Sequence, residues 1–200
     1  MLEVFNIIGL IAFAFSGAVK GIKRELDIFG ITVLGLVTAL GGGVLRDFMV
    51  ARIPIMLLDP YYIGFSILGV LIAIFTRRWS DVILSDFGFL FSDAIGLSAF
   101  TITGALIAQQ YNLGVIGIIM LGLSTAVGGG VIRDILVREI PLILQKEVYA
   151  SCSILGATVF WLITSSGGES GLASTTGMLT TLFLRVVAII RHWNLPRFLS

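Results

Sequence analysis

The sequence predicts an all-α integral membrane protein with seven transmembrane helices, arranged as two inverted three-helix repeats followed by a seventh helix. Composition, the spacing of the apolar runs and an internal duplication predict it. Hydrophobic residues make up 57% of the chain and charged residues only 12%, against roughly 25% charged in soluble domains. Mean hydropathy is +1.05. The net charge of +1 is uninformative about nucleic acid, but no basic run resembles a nucleic-acid tract, so no nucleic-acid partner is expected. The apolar runs are too long for barrel strands and lack alternation of period two, which excludes a β-barrel.

Crossing about 30 Å of hydrocarbon takes about 20 apolar residues. Seven runs qualify, at about 2–19, 28–50, 60–76, 88–109, 113–137, 147–165 and 172–190, the third being short. Met1 is followed by Glu3 and no basic segment, so the first run reads as a retained span rather than a cleaved signal. On one side of the membrane the connections carry Lys20, Lys23, Arg24, Arg77, Arg78, Arg138 and Lys146, with Arg191 and Arg197 in the tail; the other side has only Arg52. Basic loops stay in the cytoplasm, so the N-terminus is expected outside and the C-terminus inside. The expected location is the plasma (inner) membrane, crossed several times.

The duplication is direct. Gly41-Gly42-Gly43-Val44-Leu45-Arg46-Asp47 returns 87 residues later as Gly128-Gly129-Gly130-Val131-Ile132-Arg133-Asp134. The shift holds without a gap from Gly9/Gly96 and Phe13/Phe100, through Gly35/Gly122, to Pro54/Pro141, Tyr62/Tyr149 and Gly69/Gly156. Three spans per unit is an odd number, so the second unit enters the membrane inverted. The repeats cover about 1–75 and 88–162, and the extra helix about 172–190, in one membrane domain. Inverted repeats are common in proteins that pass solutes across membranes, with the path at the repeat interface.

The duplicated motif carries the chemistry. Three adjacent glycines make a helix easy to kink, so the second and fifth helices are expected to bend at Gly41–Gly43 and Gly128–Gly130, with freed carbonyls available to a cation. The alternative is close helix packing through small residues. Adjacent helical residues project about 100° apart, so Arg46 and Asp47 are not expected to face each other, nor Arg133 and Asp134. Partners are sought across the pseudo-twofold (Arg46 with Asp134, Asp47 with Arg133) or on a neighbouring helix. Structural salt bridges and direct ion contact by the carboxylates both remain open.

Other polar residues align under the shift: Ser16 with Thr103, Thr38 with Thr125, and Asn6 with Asp93. The four hydroxyls are candidate pore lining, with bonding to their own helix backbone as the alternative. Asp93 is a carboxylate within a span, where a cavity or a charged partner is expected. Arg185 is expected to snorkel toward the cytoplasm, with pairing to a carboxylate as the alternative. Cys152 reads as a small buried hydrophobe and His192 as a surface residue. No His/Cys ligand cluster, no G-x-S-x-G elbow and no Walker loop is present, so neither enzyme, cofactor nor bound metal is expected.

The paired Gly-Gly-Gly-x-x-Arg-Asp motifs, the seven spans and the inverted repeat resemble the prokaryotic branch of the trimeric intracellular cation channel family. Arg138-Glu139-Ile140-Pro141-Leu142, followed by Gln145-Lys146-Glu147-x-Tyr149-Ala150, resembles the stretch after the second motif in bacterial members. The resemblance implies a homotrimer in membrane lipid, each protomer with its own pore for monovalent cations, potassium above sodium. Its second and fifth helices would kink at the glycine triplets and border the pore. Bacterial relatives also bear the label of glycine transporter, which keeps open a carrier for a small neutral solute such as glycine.

Overall fold

The computed structural model describes residues 2–77, 85–145 and 148–193. Arg78, Lys146 and Arg197, counted above for orientation, lie outside the described residues, as does Glu147. Within them the chain is helical: α1 (Leu2–Lys23), α2 (Ile28–Met49), α3 (Tyr61–Thr76), α4 (Asp86–Gln110), α5 (Val115–Leu136), the single turn α6 (Leu142–Gln145), α7 (Val148–Ser165) and α8 (Ser170–Ile190), with a 3-10 turn at Ile55–Leu57. Six helices (α1, α2, α4, α5, α7 and α8) are long and apolar enough to cross a membrane. The 16 residues of α3 rise only about 24 Å.

Local chemistry sets the helix boundaries. Asp27 caps α2 by accepting from the Gly30 N–H at 2.7 Å, and Ser85 caps α4 by accepting from the Gly88 N–H at 3.1 Å. Within the two repeats, four helices end where a residue turns left-handed: Glu25 (φ 55°), Ala51 (φ 53°), Asn112 (φ 52°) and Arg138 (φ 57°). The chain reverses there at once, because the next N–H folds back onto the last helical turn, Arg52 N–H to Asp47 O and Glu139 N–H to Asp134 O, both at 2.9 Å. These stops stand 87 residues apart in pairs, so the duplication extends to the loops.

α1 and α4 are the most enclosed helices and cross at the centre of the bundle. Gly9 on α1 lies under the Phe100 ring and Gly96 on α4 under the Phe13 ring; a Cβ at either glycine would sit 2.3 Å from the facing ring. The two rings meet edge to face with centroids 5.2 Å apart. α2 packs on α1, α5 on α4, and α2 and α5 cross each other. α8, outside the duplication, packs on α7 and α4.

Candidate functional site: a buried charge cluster at the crossing of α2 and α5

α2 and α5 are helical through both glycine triplets, and the triplets lie where these helices touch. A Cβ on Gly42 would stand 2.1 Å from the Thr125 carbonyl oxygen, and one on Gly129 would stand 2.0 Å from that of Thr38. No side chain fits there, so the middle glycine of each triplet lets one backbone rest on the other. The first glycines, Gly41 and Gly128, face Ile132 and Leu45 of the opposite helix. The third glycines leave room for the arginine three residues on: Arg46 Nη2 would be 3.7 Å from a Cβ on Gly43, and Arg133 Nη2 3.6 Å from one on Gly130. Arginine side chains on a helix point back toward its N-terminus, which brings the guanidinium over that bare backbone.

Arg46, Asp47, Arg133 and Asp134 are all buried, at 2%, 1%, 0% and 1% exposure. Their pairing differs from the sequence expectation. Arg46 Nε donates to Asp47 Oδ1 at 2.9 Å, and Arg133 Nε to Asp134 Oδ1 at 2.8 Å. Adjacent residues therefore do meet. The long arginine stem curls back while the short aspartate stays near the backbone, which closes the angle that separates their Cβ atoms. Neither Arg46–Asp134 nor Asp47–Arg133 is among the ion pairs of the described residues. The second carboxylate oxygen holds the chain that follows the helix: Asp47 Oδ2 accepts from Ile55 N–H at 2.9 Å, and Asp134 Oδ2 from Leu142 N–H at 3.0 Å. Each aspartate thus joins its arginine to the returning loop.

The two copies differ in the charges around them. Arg133 Nη1 donates to Asp93 Oδ1 on α4 at 2.6 Å and to Ser16 Oγ on α1 at 3.2 Å. Asp93 is thus the neighbouring-helix partner that an in-span carboxylate suggested. Phe89 adds its ring face, 4.8 Å from the Arg133 guanidinium carbon. Arg46 has Asn6 at the position that corresponds to Asp93, and Asn6 donates to Tyr62 Oη at 2.8 Å instead. Asp47 is also shared, since Arg52 Nη2 lies 3.0 Å from its Oδ1.

The four candidate lining hydroxyls are all fully buried, and each donates to its own helix. Ser16 donates to Phe13 O, Thr38 to Leu34 O, Thr103 to Phe100 O and Thr125 to Leu121 O. Thr38 and Thr125 place their own carbonyls against the facing triplet, and Ser16 also accepts from Arg133. Arg185 does not snorkel. It is 3% exposed, with its guanidinium carbon 4.6 Å from the centroid of the Tyr149 ring. α8 packs that face against α7, so the side chain turns inward. Asp93 Oδ2, Arg133 Nη2 and Arg185 Nε are buried without a hydrogen-bond partner among the described residues.

A small cavity of about 10 Å³ is lined by Asn6, Gly43, Arg46, Asp47 and Tyr62, among others. A second, of about 360 Å³, shares Asn6 and Tyr62 with it and adds the carboxylates of Glu3 and Asp59. At the opposite end of the bundle Glu139 receives Lys20 and the Arg24 Nε (2.8 Å), which ties the α1–α2 turn to the α5–α6 turn. Partial burial raises the Glu139 pKa, but the hydrogen bonds from Lys20 and Arg24 outweigh this and hold it below the usual carboxylate value. The sequence carried no local signal for this contact or for the Arg185–Tyr149 contact, because each joins residues far apart in the chain.

Comparison with known proteins agrees with this geometry. The family model described as glycine transporter matches twice, at residues 3–78 and again at 90–165, the same 87-residue step. A UPF0126 membrane protein of Deinococcus radiodurans is 37% identical over 98% of this chain and 91% of its own length. The UPF0126 inner membrane protein YadS of Escherichia coli K12 is 36% identical, covering 96% of this chain and 94% of its own. Among solved structures, a prokaryotic TRIC channel in 0.5 M KCl superposes with a TM-score of 0.89 at 34% identity, covering 97% of this chain and 98% of that one. A TRIC cation channel solved for the basis of its conductance gives 0.83 at 40% identity, covering 98% and 96%.

Proposed function

We propose, from the premise that this chain belongs to the glycine-transporter family and has the fold of the prokaryotic TRIC channels, that it is a passive cation channel of the plasma (inner) membrane, permeable to potassium. The observation that carries the reading is the end-to-end likeness to TRIC cation channels, up to 40% identical. The pore runs within each protomer between two inverted three-helix repeats, with α3 as the third span and α8 as the seventh. Three such protomers form a homotrimer in the lipid. The N-terminus faces outward and the C-terminus the cytoplasm. Reciprocal contacts support the inversion: Gly42 meets Thr125 as Gly129 meets Thr38.

In this reading the glycine triplets are the pivot at which α2 and α5 kink on opening. Arg46–Asp47 and Arg133–Asp134 are buried charges at that pivot. With their oxygens committed to arginine and to the returning loop, Asp47 and Asp134 act on the ion chiefly by neutralising the guanidiniums beside its path. Asp93 does the same for Arg133. Ser16, Thr38, Thr103 and Thr125 line the path with oxygen lone pairs while their hydrogens stay on the helix backbone. The chain catalyses no reaction and needs no cofactor.

Purified protein in planar bilayers, under opposed potassium and sodium gradients, should give single-channel currents that reverse toward the potassium equilibrium potential. The family description favours one other reading, a glycine carrier. Absence of cation current together with accumulation of labelled glycine in proteoliposomes would establish the carrier instead.

A further inference from the structure

We infer that the cavity beside Arg46 is a binding site for a small monatomic anion, chloride in the cell. The two copies of the motif are compensated differently. Around Arg133 the protein supplies two carboxylates, Asp134 on Nε and Asp93 on Nη1. Around Arg46 it supplies one, and that one is divided between Arg46 and Arg52. Asn6, a neutral amide, stands at the position that corresponds to Asp93. Two guanidiniums thus meet one carboxylate in the first cluster, and Asp59 is the next charge outward, beyond Tyr62.

The donors of that cluster face the cavity. Arg46 is 2% exposed, and its hydrogen bond to a described residue runs from Nε to Asp47. Both Nη groups are therefore left without a partner among the described residues, on a side chain that lines the cavity. A buried guanidinium with spare N–H groups demands an anion or water. Tyr62 accepts from the Asn6 amide, which leaves its own O–H free to donate. Asp47, the one carboxylate on the wall, has its oxygens turned to Arg46, Arg52 and the Ile55 N–H. Size completes the selection. A cavity of about 10 Å³ has room for one water-sized particle, so a halide enters with slight adjustment and phosphate or sulfate does not. The bound halide supplies beside Arg46 the negative charge that the Asp93 carboxylate supplies beside Arg133.

The site is read without ion flux, so its failure and that of the channel reading are separable. Purified protein is melted in detergent at constant potassium while chloride is exchanged for gluconate, and crystals grown with bromide are examined at the bromine absorption edge. Chloride and bromide, but not gluconate, should raise the melting temperature, and an anomalous peak should lie within contact of Arg46. Asn6→Asp exchanges a neutral amide on the cavity wall for a negative charge of the same shape, so it should weaken the halide response by at least about tenfold. Tyr62→Phe, a smaller change, should weaken it with the fold retained. A melting temperature indifferent to chloride, a halide response unchanged in Asn6→Asp, or density at Arg46 without a bromine signal would each overturn the site. The last outcome would mean that water alone solvates Arg46.

Discussion

Asp47→Asn and Asp134→Asn are the same substitution in two copies of one motif, and the structure requires them to differ. Asp47 is the carboxylate that pairs with buried Arg46, and it also holds Arg52 at 3.0 Å. Removing its charge leaves a buried guanidinium without an ion-pair partner among the described residues, a change that costs about 3–5 kcal/mol. Asp134 has the same contacts to its arginine and loop, but Arg133 keeps Asp93 at 2.6 Å. The loss there is nearer that of one hydrogen bond to a charged group, about 1.5–3 kcal/mol. The difference is about 2 kcal/mol, or about 4–8 °C in melting temperature for a chain of this size. Thermal unfolding in detergent, followed by tryptophan fluorescence and checked by size-exclusion recovery, measures it. Adding Asp93→Asn to Asp134→Asn should remove the advantage and bring the second copy down to the first. Equal melting temperatures for the two single variants, or a less stable Asp134→Asn, would refute the assignment of Asp93 as the compensating charge.

Two further outcomes follow from the same contacts. Gly42→Ala and Gly129→Ala place a methyl about 2 Å from a carbonyl oxygen, so each should cost about 1–3 kcal/mol and lower potassium flux in proteoliposomes; Gly43→Ala, with 3.7 Å of clearance, should be tolerated in both assays. Glu139→Gln loosens the tie to Lys20 and Arg24 and should cost about 1 kcal/mol at neutral pH. Because the Glu139 pKa is lowered in the folded protein, that contribution is full above its ordinary unfolded value and fades as pH falls through the lowered one. A melting curve against pH should therefore separate wild type from Glu139→Gln at neutrality and bring them together in acid.

Much of the architecture was legible because it is written in local pattern. Apolar runs bounded by Lys20–Asp27 or Gln109–Asn112 mark helix ends within a few residues, and an 87-residue self-match is visible to the eye. The buried motif residues were equally legible, since glycine triplets and charges are costly in apolar segments. Their partners were not. Helical spacing sets the Cβ directions of Arg46 and Asp47 apart, but an arginine stem is long enough to bend back over Gly43 and close that angle. The inward turn of Arg185 depends on where Tyr149 lands, and no span carries that information alone. The alignment of Asn6 with Asp93 was in plain view. Its meaning, one missing carboxylate beside an arginine, needed the knowledge that Asp93 reaches Arg133.

The crossing of α2 and α5 also constrains how the molecule can move. With Gly42 seated on the carbonyl of Thr125 and Gly129 on that of Thr38, neither helix can slide along the other without driving a backbone atom into a backbone atom. The two are left to swing about the contact like the blades of scissors. Such a swing opens or closes both ends of the crossing together, with the contact of Gly42 and Gly129 as its fixed fulcrum.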